Sequence, residues 1–156
     1  MIYKTLHRKQ KIVHKKSGLN SDLYPGRVRS SCSTSDTRRV SLVTKPVIIN
    51  ESGTDREVKA NTIYCYTLTG QEIWTFKDEN VLREPKGIAL DKNRNVYVAG
   101  KGTNNVVVLS PDGKNYREIL TQSDGLNNPY SLRINLDRNE LLVCNENGSA
   151  FLFSLH

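Results

Sequence analysis

Residues 85–120 read PKGIALDKNRNVYVAGKGTNNVVVLSPDGKNYREIL, and this stretch decides the fold. Clusters of Gly, Asn, Asp and Pro divide it into four short apolar runs: Gly87–Leu90, Val96–Ala99, Val106–Leu109 and Tyr116–Leu120. Short runs rich in Val and Tyr between such clusters are typical of strands joined by turns. Since no connection is long enough for a crossover helix, the four strands are predicted to form an antiparallel meander.

The same pattern recurs on both sides of this stretch. Pro129 follows Pro85 by 44 positions, and Gly113 follows Gly70 by 43 positions. A repeat of this length that carries four strands has the size of a propeller blade, whereas armadillo and ankyrin repeats are helical. The sequence therefore predicts an all-β fold made of antiparallel four-stranded blades.

The repeat resembles the NHL repeat. The resemblance rests on Pro85-x-Gly87-Ile88-Ala89-Leu90-Asp91, on Asn95-Val96-Tyr97-Val98 and on Asn104-Asn105-Val106. The resemblance covers residues from about 61 to 156. These residues are similar to the C-terminal NHL propeller of tripartite-motif proteins, in which a RING, B-boxes and a coiled coil precede the propeller. The resemblance implies an incomplete copy of a six-bladed type of β-propeller, and a role in substrate recognition by E3 ubiquitin ligases.

Charge and composition divide the chain into two parts. Residues 1–40 contain ten Lys and Arg against two acids, whereas residues 41–156 contain thirteen against fourteen. Residues 1–39 are predicted to be a basic, Ser- and Arg-rich tail that is mostly disordered. Residues 40–156 are predicted to be the partial propeller, with blades at about 40–84, 85–128 and 129–156. Val40–Val43 and Val47–Ile49 are expected to be the first two strands of the leading blade.

The last predicted blade lacks a fourth strand after Phe151–Phe153, and no segment near Met1 resembles the missing strand. A closed six-bladed ring needs on the order of 260 residues, so this chain is predicted to be a piece of a larger propeller. A small three-sheet β-domain that folds alone is the alternative. Unpaired edges are expected at Ile48 or Ile63 and at Phe151–Phe153, where they would promote self-association.

The cysteines and the N-terminus point to the cytoplasm. Cys32, Cys65 and Cys144 have neither zinc-binding spacing nor the pattern of a disulfide framework, which fits a reducing compartment. Residues 1–16 lack the apolar core of a signal peptide. No apolar run approaches the roughly 18 residues of a membrane-spanning helix, so no membrane partner is expected.

No catalytic, cofactor-binding or metal-binding residues are predicted. Each histidine is isolated, and no phosphate-binding glycine motif is present. Some six-bladed propellers are metal-dependent hydrolases or lyases, and Asp91, Asp137 and Asn145 have suitable side chains for such a site. Asp91 and Asp137 are, however, typical turn residues. Trp74 is predicted to pack between blades rather than to bind a ligand.

Binding is predicted at one end of the blades. The loops between the second and third strands lie there with the loops that join consecutive blades, and loops on a rigid sheet are common binding sites. The candidate partner-binding residues are Arg83, Lys86, Lys101, Asn104, Asn105 and Tyr130. These cations, amides and one aromatic ring suit a protein motif, or a stem-loop or single-stranded RNA. The near-neutral repeats favour a protein, because RNA affinity requires neutralisation of phosphates.

Overall fold

The computed structural model describes residues 61–155 and, before them, the strands at residues 6–13, 31–33 and 38–43. The strands are β1 (Leu6–Val13), β2 (Ser31–Ser33), β3 (Arg38–Val43), β4 (Thr62–Thr67), β5 (Glu72–Phe76), β6 (Pro85–Leu90), β7 (Val96–Gly100), β8 (Asn105–Leu109), β9 (Tyr116–Leu120), β10 (Pro129–Asn135), β11 (Glu140–Asn145) and β12 (Ser149–Leu155). A short 3₁₀ helix, Gln122–Asp124, lies between β9 and β10.

The described strands form three four-stranded antiparallel sheets. We call them blade 1 (β2-β3-β4-β5), blade 2 (β6-β7-β8-β9) and blade 3 (β10-β11-β12-β1). Blade 2 is the antiparallel meander predicted from residues 85–120, and each of its strands overlaps the apolar run that predicted it. The prediction of an all-β fold with antiparallel four-stranded blades is therefore confirmed.

Blade 2 is packed on both faces, because it lies between the other two blades. Successive residues of a strand point to opposite faces of the sheet. Val96, Val98, Val107 and Leu109 accordingly pack with the core of blade 1, whereas Tyr97, Ala99, Val106 and Val108 pack with the core of blade 3. This double burial explains why β7 and β8 are almost continuously apolar rather than alternating.

The first strands of blades 2 and 3, β6 and β10, approach each other closely. A methyl group on Gly87 would lie 2.7 Å from the backbone nitrogen of Leu132 and 2.9 Å from the Cα of Ser131. Both of these atoms belong to the β10 backbone, which cannot move aside as a flexible side chain can. Glycine is therefore required at this point for the two strands to come together.

The expectation that no segment near Met1 completes the last blade is wrong. β1 runs antiparallel to β12, from the Leu6–Leu155 pair to the Val13–Ser149 pair, and supplies the fourth strand of blade 3. The strand was missed because it is basic and only weakly apolar. An outermost strand pairs through backbone groups along one side, and lysines are common on such strands.

The order of strands in blade 1 also differs from the expectation. Its first strand is β2, Ser31–Ser33, so Val40–Val43 lies in the second strand of the blade and not in the first. Both β1 and β2 fall within the segment that was expected to be mostly disordered. The expected strand Val47–Ile49 lies outside the described residues.

The predicted unpaired edges at Ile63 and Phe151–Phe153 are wrong as well. Ile63 lies in β4, which pairs with β3 on one side and with β5 on the other. Phe151–Phe153 lies in β12, which is hydrogen-bonded to both β11 and β1. The N-terminal strand removes the second of these edges, while the alternative edge at Ile48 lies outside the described residues.

Candidate partner-binding face

One end of blades 2 and 3 is formed by four loops. They are the hairpin loops 101–104 and 146–148 and the inter-blade segments 77–84 and 121–128. We call this end the loop face. The loops contact each other directly, since the backbone N–H of Lys101 donates to the Glu84 carbonyl at 3.1 Å and that of Glu146 donates to the Asn128 carbonyl at 3.0 Å.

Each inter-blade segment is connected to the blade that precedes it by the side chain of one asparagine. The Oδ1 of Asn61 accepts a hydrogen bond from the backbone N–H of Glu84 at 3.1 Å, and the Oδ1 of Asn104 accepts one from Asn128 at 2.7 Å. All four residues have positive φ angles, between 46° and 56°. Left-handed backbone is most accessible to Asn among non-glycine residues, which explains its use at three of these positions.

Glu84 and Asn128 therefore link consecutive blades. The N–H of each is bound to the blade before it, and the carbonyl of each is bound to the hairpin loop of the blade after it. The two positions are 44 residues apart, so the same device is used at both blade junctions. The loop face is consequently a set of loops held by repeated hydrogen bonds.

A buried amide beneath the loop face supports each inter-blade segment. The Nδ2 of Asn105 donates to the Val81 carbonyl at 2.8 Å, and the Nδ2 of Asn145 donates to the Gly125 carbonyl at 3.0 Å. Val81 and Gly125 occupy the same position in successive repeats, 44 residues apart.

The two amides come from different positions of the repeat. Asn105 aligns with Ser149, and Gly100 aligns with Asn145. A methyl group on Gly100 would lie 2.4 Å from the Oδ1 of Asn105. In blade 2 a side chain at position 100 would therefore crowd Asn105, and blades 2 and 3 satisfy the equivalent carbonyl from opposite strands of the hairpin.

An ion pair joins blades 2 and 3 on the loop face. The Nζ of Lys101 lies 3.0 Å from Oε1 and 2.9 Å from Oε2 of Glu146. The Lys101 side chain is 24% exposed and the Glu146 side chain 49% exposed. The two residues are the first of their hairpin loops, and the pair neutralises the Lys101 charge within the protein.

The six predicted face residues differ in their accessibility. Arg83 is exposed, Tyr130 is 43% exposed, and Lys86, Lys101 and Asn104 are half-buried. Asn105 is only 2% exposed, and its amide serves the buried carbonyl of Val81. Asn105 thus supports the loop face from below, because the residue that opens a third strand lies under the hairpin loop.

Sequence reasoning missed two acidic residues of this face. Glu84 and Glu146 are both exposed there, and Glu146 holds Lys101. Glu146 stands 45 positions after Lys101, one residue beyond the repeat period. Because equivalent loops of adjacent blades are neighbours, the repeat spacing was a signal that could have paired the two residues.

The three candidates for an enzymatic site do not come together. Asp91 and Asp137 lie in the turns after β6 and β10, at the end opposite to the loop face, whereas Asn145 lies beneath the loop face. Among the described residues there is no group of three or more His, Cys, Asp and Glu that could hold a metal ion.

Asp91 is a turn residue, as predicted. Its Oδ1 accepts hydrogen bonds from the backbone N–H groups of Asn93 and Asn95, at 2.8 and 2.9 Å. Its Oδ2 accepts one from the hydroxyl of Tyr97 at 3.3 Å. Burial and the neighbouring Asp91 carboxylate raise the pKa of Tyr97, which keeps the hydroxyl protonated as a donor. Asp91 therefore caps its own turn.

Trp74 packs between blades, which confirms the prediction. Its Nε1 donates to the Pro111 carbonyl in blade 2 at 2.9 Å. A methyl group on Gly113 would lie 2.5 Å from the Trp74 ring. The indole thus fits against the β8–β9 turn of the next blade and is not a ligand-binding residue of the loop face.

Comparison with known proteins agrees with this architecture. The model of the beta-propeller repeat family (SBBP) matches residues 80–106. E3 ubiquitin-protein ligase TRIM56 of Mus musculus is 29% identical over 143 residues, which cover 90% of this chain and 18% of that protein. The chain thus spans less than a fifth of the length of this curated relative.

Two solved structures are similar in fold. The Dos1 propeller has a TM-score of 0.53 at 13% identity, over 77% of this chain and 27% of its own. The β-propeller domain of Cps50 (Swd1) from Myceliophteria thermophila has a TM-score of 0.54 at 14% identity, over 81% of this chain and 38% of its own. These similarities and the three stacked blades define the chain as a partial β-propeller. No helix within the described part of the chain is long and apolar enough to cross a membrane.

Proposed function

We propose that this chain is a non-catalytic recognition module whose loop face binds a protein partner, as part of an NHL propeller of the tripartite-motif type. The observation that carries the proposal is the Lys101–Glu146 pair, with both carboxylate oxygens within 3.0 Å of Nζ. The pair joins blades 2 and 3, and the other charged residues of the face, Arg83, Glu84 and Lys86, are of both signs.

The rigidity of the loops supports a binding role. Asn61 and Asn104 hold the inter-blade turns, and the hairpin loops donate to the same turns from the other side. A surface that is ordered before it meets its partner loses less conformational entropy on binding. The exposed Arg83 and Tyr130 are of the residue types that contribute most binding energy at protein interfaces.

The charges of the face favour a protein over RNA. Its cations Arg83, Lys86 and Lys101 are accompanied by Glu84 and Glu146, and one cation is already neutralised by Glu146. Phosphate binding would require uncompensated positive charge. RNA binding is the second candidate, because an exposed Tyr130 ring offers a stacking surface for a base.

The similarity to an E3 ubiquitin-protein ligase supports a role in substrate recognition for such a ligase. The ligase activity itself would belong to a RING domain, which the 156 residues do not contain. Recognition would take place in the cytoplasm, a location that is consistent with the free thiol of Cys144.

Affinity capture with the full chain tests this function. The double variant Arg83→Ala/Tyr130→Ala removes the exposed loop-face groups, while Lys114→Ala/Arg138→Ala removes two exposed residues at the opposite end. Proteins captured from cell extract by the wild type and by the control variant, but lost with the loop-face variant, are the expected result. A protein set that is unchanged by the loop-face variant would refute the proposal.

The RNA alternative is tested with the same variants. Binding of a pool of RNA stem-loops is measured by filter retention at increasing salt. Affinity that falls steeply with salt and is lost in the loop-face variant would establish RNA as the partner instead. RNA retention that is equally weak for the wild type and for both variants would exclude RNA, and binding of a protein would stand as the function of this face.

A further inference from the structure

The face of blade 3 that points away from blade 2 combines apolar side chains with one cation. Leu141 and Phe153 are buried and pack with the core residues of blade 2. Leu142 and Leu152 are their neighbours along β11 and β12, so these two side chains point the other way. They lie directly opposite each other in the register of the two strands, and both are half-buried. We call this outward surface of blade 3 the distal face.

Arg133 continues the row of side chains on the distal face. It lies on β10 directly opposite Leu142, and directly opposed residues of an antiparallel pair share one side of the sheet. Since adjacent strands are about 4.8 Å apart, the row from Arg133 through Leu142 to Leu152 is about 10 Å long. Arg133 is exposed, and among residues 61–155 no carboxylate forms an ion pair with it. Its charge is therefore available to a partner.

The row lines an open groove. The groove has a volume of about 530 Å³, and its lining includes Leu136, which is 44% exposed, together with Leu142, Leu152 and Arg133. Exposed apolar surface with polar residues at its rim is typical of protein contact sites. Sites for small molecules, in contrast, enclose most of the ligand. The groove therefore suits a segment of a protein better than a small molecule.

The corresponding face of blade 2 shows what the cation changes. Arg133 follows Ala89 by 44 positions, which is one repeat. Ala89 is 7% exposed and packs in the core shared by blades 2 and 3. A purely apolar surface placed over the distal face in the same way would bury the Arg133 guanidinium without a partner, which is strongly unfavourable. Whatever covers the distal face must therefore supply a carboxylate to Arg133.

We propose that the distal face binds an extended segment of a partner protein that carries an acidic residue and, two positions away, a large aliphatic residue. The carboxylate pairs with the Arg133 guanidinium, whose N–H groups match the two carboxylate oxygens. In an extended chain, residues two positions apart point to the same side and are about 7 Å apart. The aliphatic side chain then lies over Leu142 and Leu152, whose midpoint is about 7 Å from Arg133 along the row.

Binding of labelled heptapeptides to the full chain, measured by fluorescence anisotropy, tests this proposal. The first peptide pool has glutamate and leucine two positions apart, with random uncharged residues elsewhere. The second pool has glutamine in place of the glutamate, and the third has alanine in place of the leucine. The first pool is expected to bind at least about tenfold more tightly than the second, because the second lacks the charge-assisted hydrogen bonds to Arg133. It is also expected to bind more tightly than the third.

Reversal of the charge at Arg133 locates the site. Arg133→Glu is expected to lose the preference for the first pool and to bind best a fourth pool, in which lysine replaces the glutamate. Arg138→Glu is the matched control, because Arg138 is also exposed but does not line the groove, and this variant is expected to keep the preference of the wild type. Circular dichroism establishes that each variant is folded.

The outcomes also separate this site from the loop face. The loop-face variant Arg83→Ala/Tyr130→Ala is expected to bind the first pool as the wild type does. Equal binding of the first two pools, a preference that survives Arg133→Glu, or a preference lost in either the control or the loop-face variant would each overturn the proposal. A wild-type dimer that dissociates in Arg133→Glu would overturn it too, because a second copy would then occupy the distal face.

Discussion

Substitution of Gly87 by alanine is expected to destabilise the contact between blades 2 and 3. The added methyl group would lie 2.7 Å from the nitrogen of Leu132, and 2.9 and 3.0 Å from the Cα and carbonyl carbon of Ser131. Since these are backbone atoms, β10 must shift or β6 must bend. Overpacking of this kind typically costs about 1–3 kcal/mol of unfolding free energy.

The cost is measured by urea and thermal unfolding of the full chain. For a chain of this size, about 1–3 kcal/mol corresponds to a decrease of roughly 2–12 °C in Tm. Gly102→Ala is the matched control, because its methyl group would approach the Cβ of the exposed Arg83 at 3.0 Å and the Arg83 backbone no closer than 3.4 Å. A Gly87→Ala chain as stable as the control chain would refute the close packing of β6 on β10.

Three further predictions concern the loops and turns. A double-mutant cycle of Lys101→Ala and Glu146→Ala is expected to give a coupling of about 0.5 kcal/mol that decreases with salt, because the pair is partly exposed; a coupling of zero at low salt would contradict the ion pair. Trp74→Phe is expected to lose about 1 kcal/mol of unfolding free energy, since it removes the hydrogen bond to the Pro111 carbonyl; unchanged stability in denaturant titrations would argue against this contact. The hydrogen bond from Ser110 is the main cause that lowers the pKa of Asp112. The ionised Asp112 carboxylate therefore stabilises the folded state at pH values above its pKa in the unfolded chain. This stabilisation is lost as the pH falls through the lowered pKa of Asp112 in the folded state. As the pH is lowered through the acidic range, unfolding curves are expected to show a smaller loss of stability for Asp112→Asn than for the wild type. Equal losses of stability in the two chains would contradict this role of Asp112.

The strands of blade 2 could be predicted because their signals are local. Each strand between Pro85 and Leu120 is a short apolar run, and each turn has residues that favour tight bends, such as Asp91, whose carboxylate caps two backbone N–H groups. The period of 43–44 residues then placed β4 and β5 in blade 1 and β10, β11 and β12 in blade 3, but it located neither β1 nor β2.

The loop face could be predicted only in part. The topology of a meander brings its loops to one end, so the location of Arg83, Lys101 and Tyr130 there follows from the order of the strands. The burial of Asn105 does not follow, because it depends on the distance between its amide and the Val81 carbonyl in the preceding loop. The same holds for Asn145, which performs this task in blade 3 from another strand.

The sequence by itself determined the all-β class, the length of the blade and the meander of blade 2, since all three depend on alternation and turn residues close along the chain. Only the tertiary structure decided which strand completes blade 3. β1 and β12 are separated by most of the chain, and their pairing uses backbone groups that every residue possesses. The need for glycine at position 87 was decided in the same way, by how closely two strands from different blades approach each other.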